Sequence, residues 1–138
     1  ASDVYKRQVP TGKTVRVQRT LTYKEALSRT IIFTSTVLID TQKVDRELIL
    51  MPDIPSEDTA TWWRILQSGI TACGLDELLV IYRRPAHSLS ANKGKAVKRI
   101  WGLYRQIAGL NVFASAYYMI GWAFRATMRR VIKNKKTV

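Results

Sequence analysis

At 138 residues, 46% hydrophobic and 24% charged, the chain can bury the core of one domain and is excluded from the disordered class. One cysteine, Cys73, excludes an internal disulfide and a cysteine-based zinc site, and suits a reducing compartment. The formal net charge of +13 is concentrated: residues 1–77 hold 10 Lys+Arg and 10 Asp+Glu, whereas residues 78–138 hold 13 Lys+Arg and no acid, which points to a nucleic acid, an anionic membrane face or a phosphorylated ligand.

The first eight residues, "ASDVYKRQ", match the translation of a transposon-type sequencing adapter. They are set aside from fold reasoning, and the native chain is expected to start at Val9. Val9 to Arg19 is polar and punctuated by Gly and Pro, so it reads as loop. Tyr23 to Arg29 fits a short helix. Ile31 to Asp40, "IIFTSTVLID", is rich in β-branched residues and is expected to form a buried strand. "MPDIPS", Met51 to Ser56, has two prolines and is loop.

A helix is expected over Glu57 to Ser68, with Ser56 as N-cap and Gly69 as its stop. Its start places Glu57 and Asp58 where acids oppose the positive end of the helix dipole. "ITAC" and "LLVIYRR" read as strands joined through "GLDE", Gly74 to Glu77. "PAHSLSAN", Pro85 to Asn92, is polar loop. Alternating strands and helices give an α/β class.

In Lys93 to Ala108, Ala96, Ile100, Leu103, Tyr104 and Ile107 recur at helical spacing against Lys95, Lys98, Arg99 and Arg105. That pattern is an amphipathic helix with a basic face. After Gly109, a second helix is expected over Val112 to Ile132, apolar nearly all round at first and basic at its end (Arg125, Arg129, Arg130, Lys133). The uncharged run Ile107 to Phe124 sits at the lower limit for spanning a bilayer. Gly109, Asn111, Ser115 and Gly121 within it favour packing on the domain or lying in the membrane interface.

Three pieces in order, "FTSTVLID", "SEDTATWWRILQSGITACGLDELLVIYRR" and "HSLSANKGKAVKRIWGLYR", resemble the C-terminal half of family 2 glycosyltransferases. The closest group is the bacterial enzymes that build capsular, exopolysaccharide or O-antigen repeat units. The resemblance covers about Pro10 to Arg105. It rests on an acid pair followed by Trp, a GLDE-type turn, a YR strand end and S-x-S-x-N-K.

It implies the acceptor side of a glycosyltransferase A-type fold over residues 9–92, followed by a basic helical region over residues 93–138. The implied enzyme is an inverting hexosyltransferase working from a nucleotide sugar, of UDP type, on a polyprenyl-diphosphate-linked saccharide at the inner face of the cell membrane. Asp58 maps onto the family's general base, and Glu57 becomes a cap or a supporting partner. A base fixed at a helix N-terminus stays ionised, so the cap and the base readings of Asp58 are compatible.

Trp62, one turn beyond Asp58, is implied to border the acceptor sugar, and Trp63 to pack in the core. Ser35 and Thr36 lie on the implied acceptor side or serve only the strand. His87 is implied as a diphosphate or metal contact, and Arg83 and Arg84 as neutralisers of leaving-group charge. Ser88, Ser90, Asn92 and Lys93 either bind phosphate or cap the next helix. A divalent metal, magnesium or manganese, is implied for the whole enzyme. The D-x-D pair that holds it is absent from this sequence, so the chain by itself is expected to be inactive. The alternative is a non-catalytic basic module that binds membrane or nucleic acid.

Overall fold

The computed structural model describes residues 16–29, 32–77, 79–81 and 93–134, with side chains in the last helix followed to Met128. The elements in order are β1 (Thr20–Leu21), α1 (Tyr23–Leu27), a 3-10 turn (Thr34–Thr36), α2 (Arg46–Ile49), α3 (Glu57–Gln67), β2 (Ala72–Cys73), α4 (Lys93–Gln106) and α5 (Val112–Asn134). The class is mixed helix and strand, with few strands among the described residues. β1 and β2 pair antiparallel, Thr20 opposite Cys73 and Leu21 opposite Ala72.

The helices at 23–27, 57–67, 93–106 and 112–134 fall within about two residues of the spans expected from the sequence, that at 93–106 on its apolar periodicity. α1 begins where the Thr22 amide and hydroxyl both donate to Glu25 Oε2, at 2.9 and 2.8 Å. These bonds satisfy an orphan amide and hold the Glu25 carboxyl below its ordinary range, backbone bond first and hydroxyl bond second. α3 ends at Gly69, whose φ of +95° is a conformation that glycine adopts without steric cost.

The strand expected over Ile31 to Asp40 does not form among its described residues. Thr36 instead turns back on Phe33, whose carbonyl accepts both the Thr36 amide and the Thr36 hydroxyl at 2.8 Å. Local hydroxyl-to-backbone bonding thus replaces a ladder, and β-branched content stabilises a strand only where a partner strand receives it. "ITAC" is strand only at Ala72–Cys73, and Leu79 to Ile81 of "LLVIYRR" are irregular and exposed. Two short elements carried no clear signal, β1 and α2. The N-cap of α2 is Asp45, whose Oδ1 accepts the Glu47 amide at 3.0 Å.

One apolar core joins the elements. Leu21, Ala26, Leu27, Ala60, Trp63, Leu66, Ile100, Leu103, Tyr104 and Ala108 are all buried in it. Trp63 stacks on Tyr104 with centroids 5.2 Å apart, and the Tyr104 hydroxyl donates to the Leu27 carbonyl at 2.6 Å. That bond satisfies a polar tip which burial would otherwise leave costly. A smaller cluster of Val44, Trp62 and Ile65 lies on the other side of α3, lined by Ile32, Val37, Ile39, Leu48, Ile49 and Ile70. Among the described residues, no helix is long and apolar enough to cross a membrane.

Candidate active site

The start of α3 is held by an unusual residue. Ser56 is the N-cap by position, but its φ of +67° and ψ of +46° are left-handed and its side chain makes no capping bond. The sequence-level expectation of a Ser56 cap is thereby corrected in mechanism. The neighbouring carboxylate does that work: Asp58 Oδ1 accepts the Thr59 amide at 2.6 Å and the Thr59 hydroxyl at 3.3 Å. A left-handed non-glycine costs of the order of 1–2 kcal/mol, so the chain carries strain at the residue that aims this first turn.

With Oδ1 occupied, Asp58 Oδ2 faces the 3-10 turn, where the Thr34 hydroxyl lies 3.5 Å away in a long hydrogen bond. Asp58, Ile32, Phe33, Thr34 and Ser35 together line an open cavity of about 450 Å³. Asp58 is half-buried, and Thr34 and Ser35 are exposed. A carboxylate beside hydroxyls and an aromatic side chain, open to solvent on one side, can accept a proton from a hydroxyl-bearing ligand. The cavity is of a size that suits a small organic group.

The structure therefore brings together Asp58 and Ser35 of the residues singled out from sequence. Thr36 is next to the cavity but spends its hydroxyl on Phe33. Glu57 is exposed; its carbonyl accepts the hydroxyl of the fully buried Thr61 at 2.8 Å. Trp62 sits elsewhere from where stacking on an acceptor would need it: it is 7% exposed, in the smaller cluster, with its indole Nε1 buried and without a hydrogen-bond partner. Trp63 is in the core as expected. His87, Arg83 and Arg84, with Ser88, Ser90 and Asn92, lie outside the described residues, as does the Lys93 side chain.

Thr34 and Phe33 were missed at the sequence level. A strand reading assigns alternate residues to opposite faces, whereas a 3-10 turn presents consecutive ones. The run of three hydroxyls in "TST" was the available signal. Among the described residues no group of three or more His, Cys, Asp and Glu could hold a metal ion.

The "GLDE" turn is tied to the start of the chain. Asp76 Oδ2 pairs with Arg16 Nη1 at 2.8 Å and its Oδ1 accepts the Val17 amide at 3.2 Å. The Arg16 bond first, then the Val17 bond, hold its carboxyl below the ordinary range. Gly74 lies against the same segment, donating its amide to the Arg19 carbonyl at 2.9 Å.

No protein-family profile matches the chain, and no solved structure matches it. A Bacillus subtilis (strain 168) protein named as a teichuronic acid biosynthesis glycosyltransferase, TuaG, is 37% identical over 123 residues, which are 88% of this chain and 48% of that protein. The chain thus spans about half the length of the curated relative it matches. The similarity takes in nearly the whole of this chain and aligns it with a part of that protein.

Proposed function

We propose that Asp58 is the general base of an inverting glycosyl transfer and that this chain supplies the acceptor side of the enzyme. The observation that carries the reading is the cavity in which Asp58 Oδ2 faces Thr34 and Ser35 while Oδ1 is held by Thr59. An acceptor hydroxyl placed there gives its proton to Oδ2 as its oxygen bonds to the anomeric carbon of a nucleotide sugar. The bond from that carbon to the diphosphate oxygen breaks, the electron pair leaves with the nucleoside diphosphate, and the anomeric centre inverts. Ser35 and Thr34 orient the acceptor in this reading. Thr36 shapes the turn, and Trp62 supports α3 from behind.

The finer assignments belong to the same proposal. These are a family 2 enzyme with an A-type fold, hexosyl transfer from a UDP-sugar, a polyprenyl-diphosphate-linked saccharide acceptor, and action at the inner face of the cell membrane. Their support is the order of motifs in the sequence, the teichuronic acid relative and the basic charge of residues 78–138. Arg83, Arg84, His87 and Lys93 are the proposed diphosphate contacts. The described residues do not fit a metal site, so magnesium or manganese is assigned to the donor-binding half and no step here runs through it.

The test is Asp58→Asn in a protein that joins this chain to a donor-binding half. Turnover should fall roughly a hundredfold or more, the scale for removing a positioned base, with donor affinity retained. Turnover close to the parent's would reduce Asp58 to a helix cap.

A further inference from the structure

Helix α5 is apolar on two opposite faces. Tyr118, Met119 and Trp122 pack on the core, beside fully buried Ser115. On the other side Phe113, Tyr117, Ile120, Phe124 and Met128 follow one another at spacings of three and four residues, which places them in one stripe along the helix. They are 87%, 73%, 70%, 64% and 40% exposed. Such a row in water is unfavourable and marks a surface that something covers.

The charge of this part of the sequence says what. Residues 78–138 hold thirteen cations and no acid, and the exposed Arg125 lies one residue past Phe124. A second copy of this chain would bring two cationic halves together and be repelled. A nucleic acid would match the charge but offer no apolar phase to Ile120, Phe124 and Met128. An anionic lipid surface offers both at once, phosphate-bearing headgroups for the cations and acyl chains for the stripe.

We propose that α5 lies in the plane of an anionic membrane, with Phe113, Tyr117, Ile120, Phe124 and Met128 inserted below the headgroups and Arg125 at their level. This deepens the membrane location named above by assigning the surface that makes it, and rests on that location, though not on sugar transfer.

The experiment is co-sedimentation of the full chain with vesicles of phosphatidylglycerol and phosphatidylcholine, with no nucleotide sugar or saccharide acceptor present. Binding is therefore read separately from any transfer. Binding should be strong at low salt and weaken as salt rises, because screening shortens the reach of each cation. The double variant F113Q/F124Q, unchanged in charge and exposed at both positions, should keep its circular dichroism and lose about tenfold or more in vesicle affinity.

Equal vesicle affinity in parent and double variant would overturn the proposal. So would a parent that binds duplex DNA but not vesicles, or one that forms a dimer abolished by F113Q/F124Q. If vesicle binding is as proposed while Asp58→Asn leaves transfer intact, only the catalytic reading fails.

Discussion

The Thr34 hydroxyl reaches Asp58 Oδ2 across twenty-four residues of sequence, at 3.5 Å. The 3-10 turn and the N-terminus of α3 thereby meet at one carboxylate oxygen. Thr34→Val keeps the shape and removes the hydroxyl. In the joined enzyme it should lower turnover by about fivefold to tenfold, well short of the loss from Asp58→Asn, because in the proposed transfer the Thr34 hydroxyl orients the acceptor without taking its proton. Equal impairment by Thr34→Val and Asp58→Asn would assign the proton transfer differently.

Ser56 carries the left-handed strain at the head of α3. Its side chain makes no capping bond, so Ser56→Gly relieves strain and removes nothing. Midpoints of urea unfolding should show the Gly variant equal to the parent or more stable by up to about 1 kcal/mol. Ser56→Val should be less stable by about 1–2 kcal/mol, since branching at Cβ worsens a left-handed backbone. A more stable Val variant would mean that this turn relaxes in solution.

Gly74 has no room for a side chain: a Cβ there would stand 2.0 Å from the Gln18 carbonyl oxygen, a backbone atom. Gly74→Ala must push the segment carrying β1 away from β2. Thermal denaturation should report a loss of about 1–3 kcal/mol. Gly69→Ala meets no neighbour but sits at φ +95°, and its cost should be that of a strained backbone alone, about 1 kcal/mol.

Burial, and secondarily Tyr118, raise the Tyr104 phenol well above its ordinary value of 10.0. The folded chain therefore holds the proton more tightly than the unfolded chain does. The associated stability is complete below the unfolded pKa of about 10 and is lost as pH rises from there toward the folded value. Tyr23 is shifted in the same direction by the same two causes. Chemical denaturation between pH 8 and pH 11 should show stability falling with pH, and Tyr104→Phe should flatten the fall. At neutral pH that variant should cost about 1–2 kcal/mol through the unpaired Leu27 carbonyl. An unchanged alkaline slope would place the effect on other groups.

Helices were legible from a stripe of apolar residues at helical period in α4, from start and stop signals in α3, and from a long apolar run in α5. The acid pair at Glu57–Asp58 was legible as the first turn of a helix. What the pattern hid was Ile31 to Asp40. Its composition suits a strand, but a strand needs a neighbour, and neighbours are not written in the segment itself. The Thr36 hydroxyl closes a local turn instead. That turn brings Thr34 and Ser35 to Asp58 together, where a strand would have turned one of them away. Trp62 shows the opposite limit, because helical spacing puts it on the face of Asp58 but does not say that Val44 and Ile65 lie there too.

The stack of Trp63 on Tyr104 ties the helix that carries Asp58 to the helix that precedes α5. Trp63 stands five residues beyond Asp58 on the same helix, and Tyr104 belongs to the helix that precedes α5. Whatever surface captures α5 therefore also sets the bearing of the cavity. If the proposed transfer and the proposed membrane surface both hold, an acceptor carried in that surface would meet Asp58 from one side, with its search reduced from three dimensions to two.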